Sequence, residues 1–166
     1  IESKKMTVEK LPFDMYELIE QIKIMFVPQI SEKKLNFDVT CELEDTCYLG
    51  DKMRINQVLA NLMSNACKFT DRGGSVWLSV TESKINENES KLRFSVKDTG
   101  VGINEKDIDR VFNSFEQAEG SNLRAPGTGL GLSISSSLVS LMGGDLKVKS
   151  EPGKGSEFYF IIELPI

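Results

Sequence analysis

Two glycine islands, Asp98-Thr-Gly-Val-Gly-Ile103 and Gly127-Thr-Gly-Leu-Gly-Leu132, constrain the fold of this chain more than any other feature. Glycines at alternate positions interrupt regular structure and let the backbone approach something flat or charged. The first island begins where the alternation of Leu92, Phe94 and Val96 stops, so Asp98 stands at the C-terminal end of a predicted strand. The second opens an apolar stretch, Leu130 to Leu141, which reads as a helix ended by Gly143-Gly144. The fold must therefore mix strands with helices.

The remaining segments agree. Leu11-Pro-Phe13 reads as a short edge strand, because proline cannot sit in the middle of a sheet. Asp14 caps a helix carried by Leu18, Ile22, Met25 and Phe26, which Pro28 is expected to kink or end, although Ile30 can continue its apolar face. Leu35 to Val39 alternates as a strand, with Tyr48-Leu49 expected beside it. Asp51 caps a second helix whose apolar stripe is Ile55, Val58, Leu59, Leu62, Met63 and Ala66. At about 100° per residue, Arg54, Asn61, Asn65 and Lys68 fall on another face of that helix. Val76, Leu78 and Val80 form a strand after the Gly73-Gly74 turn. Residues 104–115 read as short helical turns and 116–128 as an irregular loop. Leu146 to Val148 and Phe158 to Leu164 read as a closing hairpin around Pro152-Gly-Lys-Gly155. With no repeated β-α-β unit, the pattern predicts α+β, a mixed sheet covered on one face by helices.

Three segments carry chemistry. A carboxylate at a strand end, followed by Gly100 and Gly102, can accept from the exocyclic amine of an adenine, although alone it can equally start a turn. The second island leaves backbone N–H groups unshielded at a helix start, which suits an anion. Its spacing matches neither the P-loop nor the dinucleotide fingerprint. Asn61 and Asn65 are four apart on one helix, so their amides project together. Amide oxygens are acceptable magnesium ligands, and Lys68 can reach the same phosphates.

Composition removes competitors. The chain contains no histidine, which excludes Ser-His-Asp and Cys-His catalysis within it. With no histidine and no Cys-x-x-Cys, Cys41, Cys47 and Cys67 are expected to be reduced thiols rather than zinc ligands, which fits a cytoplasmic domain. A net charge of -5 without any basic run disfavours nucleic acid as a partner. No apolar stretch approaches the roughly 18 residues of a membrane span. The chain opens on Ile1-Glu-Ser-Lys-Lys5, without methionine, and is expected to be a fragment.

The order Asn61-x-x-x-Asn65, Asp98-x-Gly-x-Gly102, Phe112-x-x-Phe115, Gly127-x-Gly-x-Gly-Leu132 and Gly153 to Phe158 resembles the catalytic ATP-binding domain of sensor histidine kinases. That domain shares a superfamily with gyrase, heat-shock chaperone and mismatch-repair ATPases. Leu141-Met-Gly-Gly144 and Ser150 to Ser156 resemble the hybrid type. The resemblance implies a two-layer α/β sandwich, about five strands under three helices, spanning residues 11–166. Residues 1–10 would end a preceding dimerisation helix or form a linker.

It also implies a site. Asn65 would hold Mg2+, Asn61 and Lys68 would contact the ATP phosphates, and Phe69 would flank the nucleotide. Asp98 would take the adenine amine, with Gly100, Gly102 and Ile103 beside it and Ser156 supporting it through water. Thr128, Gly129, Leu130, Gly131 and Leu132 would cradle phosphates, and Arg124 would swing in from a lid at 116–126. The lid lacks the usual basic-aromatic pair, and Phe112-Asn-Ser-Phe115 lacks the usual proline. The implied activity is transfer of the γ-phosphoryl group to a histidine on a separate dimerisation domain, then to a response regulator receiver. No general base is assigned, and the chain alone is expected to be monomeric. A chaperone- or topoisomerase-type ATPase and a regulatory ATP-binding module are the alternatives. Gln57, where a hydrolytic glutamate is expected, argues against the ATPase.

Overall fold

The computed structural model describes residues 7–108 and 128–166, with the backbone alone at 128–130. Strand β1 (Leu11–Asp14) leads into helix α1 (Met15–Lys33), followed by β2 (Asn36–Glu42) and β3 (Cys47–Gly50). Helix α2 (Lys52–Phe69) then precedes the hairpin β4 (Ser75–Asn86) and β5 (Glu89–Asp98). A short 3-10 turn occupies Glu105–Asp107, and α3 (Thr128–Leu141), β6 (Lys147–Glu151) and β7 (Gly155–Pro165) complete the described chain. Five strands form one sheet in the order β2-β4-β5-β7-β6, antiparallel except for the β2–β4 pair. The parallel pair is bridged by a crossover that contains α2, as parallel neighbours require.

Alternation assigns the two faces of the sheet. Val76, Leu78, Val80, Leu92, Phe94, Val96, Phe158, Phe160 and Ile162 are all buried. They meet Leu18, Ile22, Ile55, Leu59, Leu62 and Leu138 of the three helices. The rings of Phe94 and Phe160, direct partners on β5 and β7, stack 4.9 Å apart at the centre. The opposite face is polar. One row across it reads Asp38, Trp77, Lys97, Glu157 and Lys149, and the Lys97 ammonium lies 5.5 Å from the Trp77 ring centre.

One local expectation changes, and one open alternative is decided. Strand β3 pairs antiparallel with β1, not with β2, because buried Tyr48 turns inward and sends its hydroxyl to Glu82 and the Asp45 carbonyl. Strand β2 joins β4 instead. Helix α1 also runs past Pro28 to Lys33. Phe26 and Ile30 keep its core face occupied, and the Lys34 N–H closes the end on the Ile30 and Ser31 carbonyls. Both predicted caps are present: Asp14 accepts from the Glu17 N–H and Asp51 from the Arg54 N–H. The short helical turns expected over 104–115 are represented by Glu105–Asp107, and positions from 109 on lie outside the described residues.

Candidate functional site

Helix α2 is the element on which both glycine islands converge. Its amphipathic stripe fixes its rotation on the sheet, and that rotation presents Asn61, Asn65 and Lys68 along one edge. Asn65 is buried to 8% exposure, Asn61 is half-buried and Lys68 is exposed. A solvated polar face would leave Asn65 open, so its burial marks an amide held against other groups. Arg54 has gone another way: it lies beside Asp51, 3.8 Å off, at the start of the helix.

The end of α2 holds the first island. The Phe69 carbonyl accepts from the Val101 N–H at 3.3 Å. It lies so close to Gly100 that a Cβ there would sit 2.5 Å from it. Gly102 has φ +75, and its missing Cβ would fall 2.1 Å from the Glu151 carbonyl oxygen. These two glycines are therefore required by the protein's own backbone, whatever else they face. The β6–β7 turn closes over the island from the other side. The Ser150 hydroxyl accepts from the Ile103 N–H at 2.6 Å, and the Gly153 N–H donates to the Val101 carbonyl at 2.8 Å.

Asp98, 7% exposed, ends β5 inside this cradle. Its Oδ1 accepts from the Gly100 N–H at 2.8 Å, and the Ser156 N–H donates to the same carboxylate. Ser156 thus reaches Asp98 through its backbone, while its hydroxyl pairs with Ser150 at 2.7 Å. Burial pushes the Asp98 carboxyl above the usual Asp range, and the two N–H donors only partly offset that. A buried, backbone-held carboxylate has lone pairs to give and little water to give them to. Cys67 of α2 is buried and close enough to feel that charge; burial pushes its thiol up to about 11, so it is protonated and inert at neutral pH.

The second island meets α2 about two turns earlier, at Asn61 rather than Phe69. Asn61 Nδ2 donates to the Gly131 carbonyl at 3.3 Å and to the Ser135 hydroxyl at 3.0 Å. Among the described residues, a Cβ on Gly131 would meet only Asn61, at 3.9 Å. Packing among those residues does not demand this glycine. Helix α3 begins at Thr128, so the backbone N–H groups of its first turn lie at this end, where a helix favours an anion. Leu132 is buried in the core cluster, and Ile103 of the first island is partly buried against that cluster.

The structure thus brings Asp98, Gly100, Gly102, Ile103, Phe69 and Ser156 together at one end of α2. Asn61, Gly131 and the α3 start meet farther along the same helix. Arg124, the 116–126 stretch and Phe112 to Phe115 lie outside the described residues, as do residues 1–6. Ser135, Ser150 and Gly155 escape sequence reasoning as site residues. Serines carry no periodic signal, although Gly155, whose Cβ would fall 2.0 Å from the Asp98 carbonyl oxygen, sits in a visible glycine pair. Among the described residues no His, Cys, Asp and Glu group could hold a metal, and no helix is long and apolar enough to cross a membrane.

An α+β sandwich whose buried strand-end carboxylate, paired helix amides and glycine-opened helix share one element defines a class. The chain belongs to the family of histidine kinase-, DNA gyrase B-, and HSP90-like ATPases, whose model matches residues 50–166. Within it, the chain is similar to sensor histidine kinases. It is 40% identical over 168 residues to the sensor protein GacS of Pseudomonas syringae pv. syringae, covering 99% of this chain and 18% of that protein. The solved full-length ShkA, in complex with AMPPNP, is 34% identical with a TM-score of 0.78 over 94% of this chain and 31% of that one. The catalytic domain of the histidine kinase ThkA is 28% identical, with a TM-score of 0.76 over 93% of this chain and 95% of that one. ThkA has also been solved in complex with the response regulator protein TrrA. The chain spans less than a fifth of GacS, 18% of its length.

Proposed function

We propose that this chain binds Mg-ATP and donates the γ-phosphoryl group to a histidine on a separate domain, the donor half of two-component signalling. The observation that carries it is the convergence of both glycine islands on α2, one at Phe69 and the other at Asn61. Asp98 accepts from the adenine amine, with Gly100, Gly102 and Ile103 shaping the slot and Ser156 steadying the carboxylate. Phe69 flanks the nucleotide. Lys68 and the N–H groups from Thr128 through Gly129, Leu130 and Gly131 to Leu132 take the phosphates, with Asn61 beside them. Arg124 supplies a further charge from the lid stretch. Similarity to ShkA, solved with AMPPNP, and to ThkA, solved with a response regulator, supports both the ligand and the downstream partner.

Magnesium fits the donors present. Neutral amide oxygens at Asn65 and Asn61, with no carboxylate cluster among the described residues, suit an ion that keeps its waters and shares phosphate oxygens. When bound it would neutralise charge on the β- and γ-phosphates. The chain's own part is positioning: it holds adenine, ribose side and phosphates so that the γ-phosphorus is open to the incoming imidazole. The bond from phosphorus to the bridging oxygen breaks, a phosphorus–nitrogen bond forms, and ADP leaves. The chain has no histidine to accept the group, so the acceptor is in trans to it or elsewhere in a longer parent.

The test supplies a histidine-bearing helical dimerisation domain from a similar kinase in trans, with γ-labelled ATP. Acid-labile label on that domain is expected. Asp98→Asn should weaken nucleotide binding by about 10–100-fold, the worth of a hydrogen bond to a charged group, while leaving the fold intact. Phosphate release to water without label on the helical domain would instead assign an ATPase. Unchanged affinity in Asp98→Asn would remove the adenine assignment.

A further inference from the structure

Building on that nucleotide site, we propose that Ser135 is a positioning residue that commits the Asn61 nitrogen to α3 and so leaves the Asn61 oxygen for the cation. The chemistry of the partners decides the orientation. Asn61 lies 3.3 Å from the Gly131 carbonyl oxygen, which has no proton to give. The Asn61 atom facing it is therefore the amide nitrogen. The same nitrogen lies 3.0 Å from Ser135 Oγ, so two acceptors stand within reach of its two N–H bonds. Both donors are used within the protein. The atom left for a ligand is Oδ1, an acceptor only.

An acceptor suits one side of a Mg-nucleotide and repels the other. Phosphate oxygens want donors, whereas magnesium and its bound waters want oxygen. Asn61 consequently serves the cation and its water shell, together with Asn65, and does not contact the phosphates. Ser135 is the group that enforces this. It is completely buried, on a helix that packs on α2, and its hydroxyl is fixed before any ligand arrives. Without it a single contact at 3.3 Å would have to hold the amide against rotation, with phosphate oxygens pulling the NH2 group the other way.

Three affinities of the 166-residue chain separate this role from general loosening of α3: AMPPNP with magnesium, AMPPNP with EDTA, and adenosine. In the parent chain magnesium should strengthen AMPPNP binding. Ser135→Ala should lose about tenfold of that enhancement, the worth of one hydrogen bond, with adenosine affinity unchanged. The Asn61 side-chain amide protons, slow to exchange in the ligand-free parent, should exchange rapidly in the variant. Ser135→Cys, close in volume but a poor acceptor, repeats the measurement if the alanine variant does not fold. Full magnesium enhancement in a folded variant overturns the proposal. So does an equal fall in adenosine and Mg-AMPPNP affinity, which would make Ser135 merely structural. A parent chain that binds no adenine nucleotide fails earlier and overturns the nucleotide reading itself.

Discussion

At the scale of the residue, the glycines of the two islands look alike in sequence but do different work. Gly102 has φ +75 and a carbonyl oxygen 2.1 Å from where a Cβ would be. Gly102→Ala should cost more than about 3 kcal/mol in urea unfolding, from strain and overlap together. Gly131 is helical and, among the described residues, has only Asn61 within reach, at 3.9 Å. Gly131→Ala should leave folding stability within about 1 kcal/mol of the parent while lowering affinity for Mg-AMPPNP. A large loss of stability there would mean that packing, not a ligand, selects the glycine. This difference is invisible in the sequence, which shows only glycine. The positions of Asp98, Asn61 and Asn65, at a strand end and four apart on a helix, were legible from spacing, whereas the roles expected of them came from the family resemblance. Ser135 and Ser150 were not. Each matters through a partner far along the chain, Asn61 for one and Ile103 for the other, and a serine carries no periodic mark.

At the scale of the element, α2 is held at both ends by groups from elsewhere. Asp51 caps its start and also accepts from the Glu9 N–H. At its end the Lys33 ammonium donates to the carbonyls of Cys67, Lys68 and Thr70 at 2.9, 3.1 and 2.9 Å. A cation at a helix C-terminus satisfies orphan carbonyls and complements the dipole. Since those carbonyls flank Phe69, which holds the first island, the end of α1 sets the position of that island and of the adenine slot proposed there. Lys33→Met should lower stability by about 2 kcal/mol and Tm by about 4–8 °C, as followed by thermal denaturation. An unchanged Tm would show that water replaces the ammonium. Helix existence and both caps followed from apolar period and Asp14 and Asp51. The pairing of β1 with β3 did not, and the apolar period left open whether the helix stops at Pro28 or continues through Ile30. Both outcomes depend on burial of particular side chains, Phe26, Ile30 and Tyr48, against parts of the core that local pattern cannot reveal.

At the scale of the whole molecule, carboxylates of one sheet respond to acid in opposite directions. Burial alone would raise Glu82, but Ser90, Tyr48 and the N–H groups of Glu44 and Asp45 outweigh it and hold its carboxyl below the usual range. Glu157 is likewise held low, with Ser95 and Arg93 outweighing burial. A lowered folded value stabilises the protein above the unfolded value, about 4.3 for glutamate, and that stability is lost as pH falls through the lower folded value. Asp98 has a raised value and acts conversely: its contribution is full below the unfolded value and lost as pH rises through the folded one. The ligand-free chain should therefore lose stability below about pH 4, where the two glutamates outnumber the one aspartate. Glu82→Gln should flatten the acid side of a stability-against-pH curve while lowering the plateau at neutral pH. An acid limb identical to that of the parent would locate the loss elsewhere.

The open face of the sheet has an optical consequence. Trp77 is the chain's only tryptophan, and it stands directly opposite Lys97, the residue before Asp98. Its indole lies on the face away from the helices, with the Lys97 ammonium 5.5 Å from the ring centre. The chain thus carries a built-in fluorophore whose emission is tuned by one neighbouring cation at the strand end that bears the carboxylate. Excitation of that indole reads the last residues of β5 from behind, through the thickness of a single strand, without a label and without obstructing the cleft.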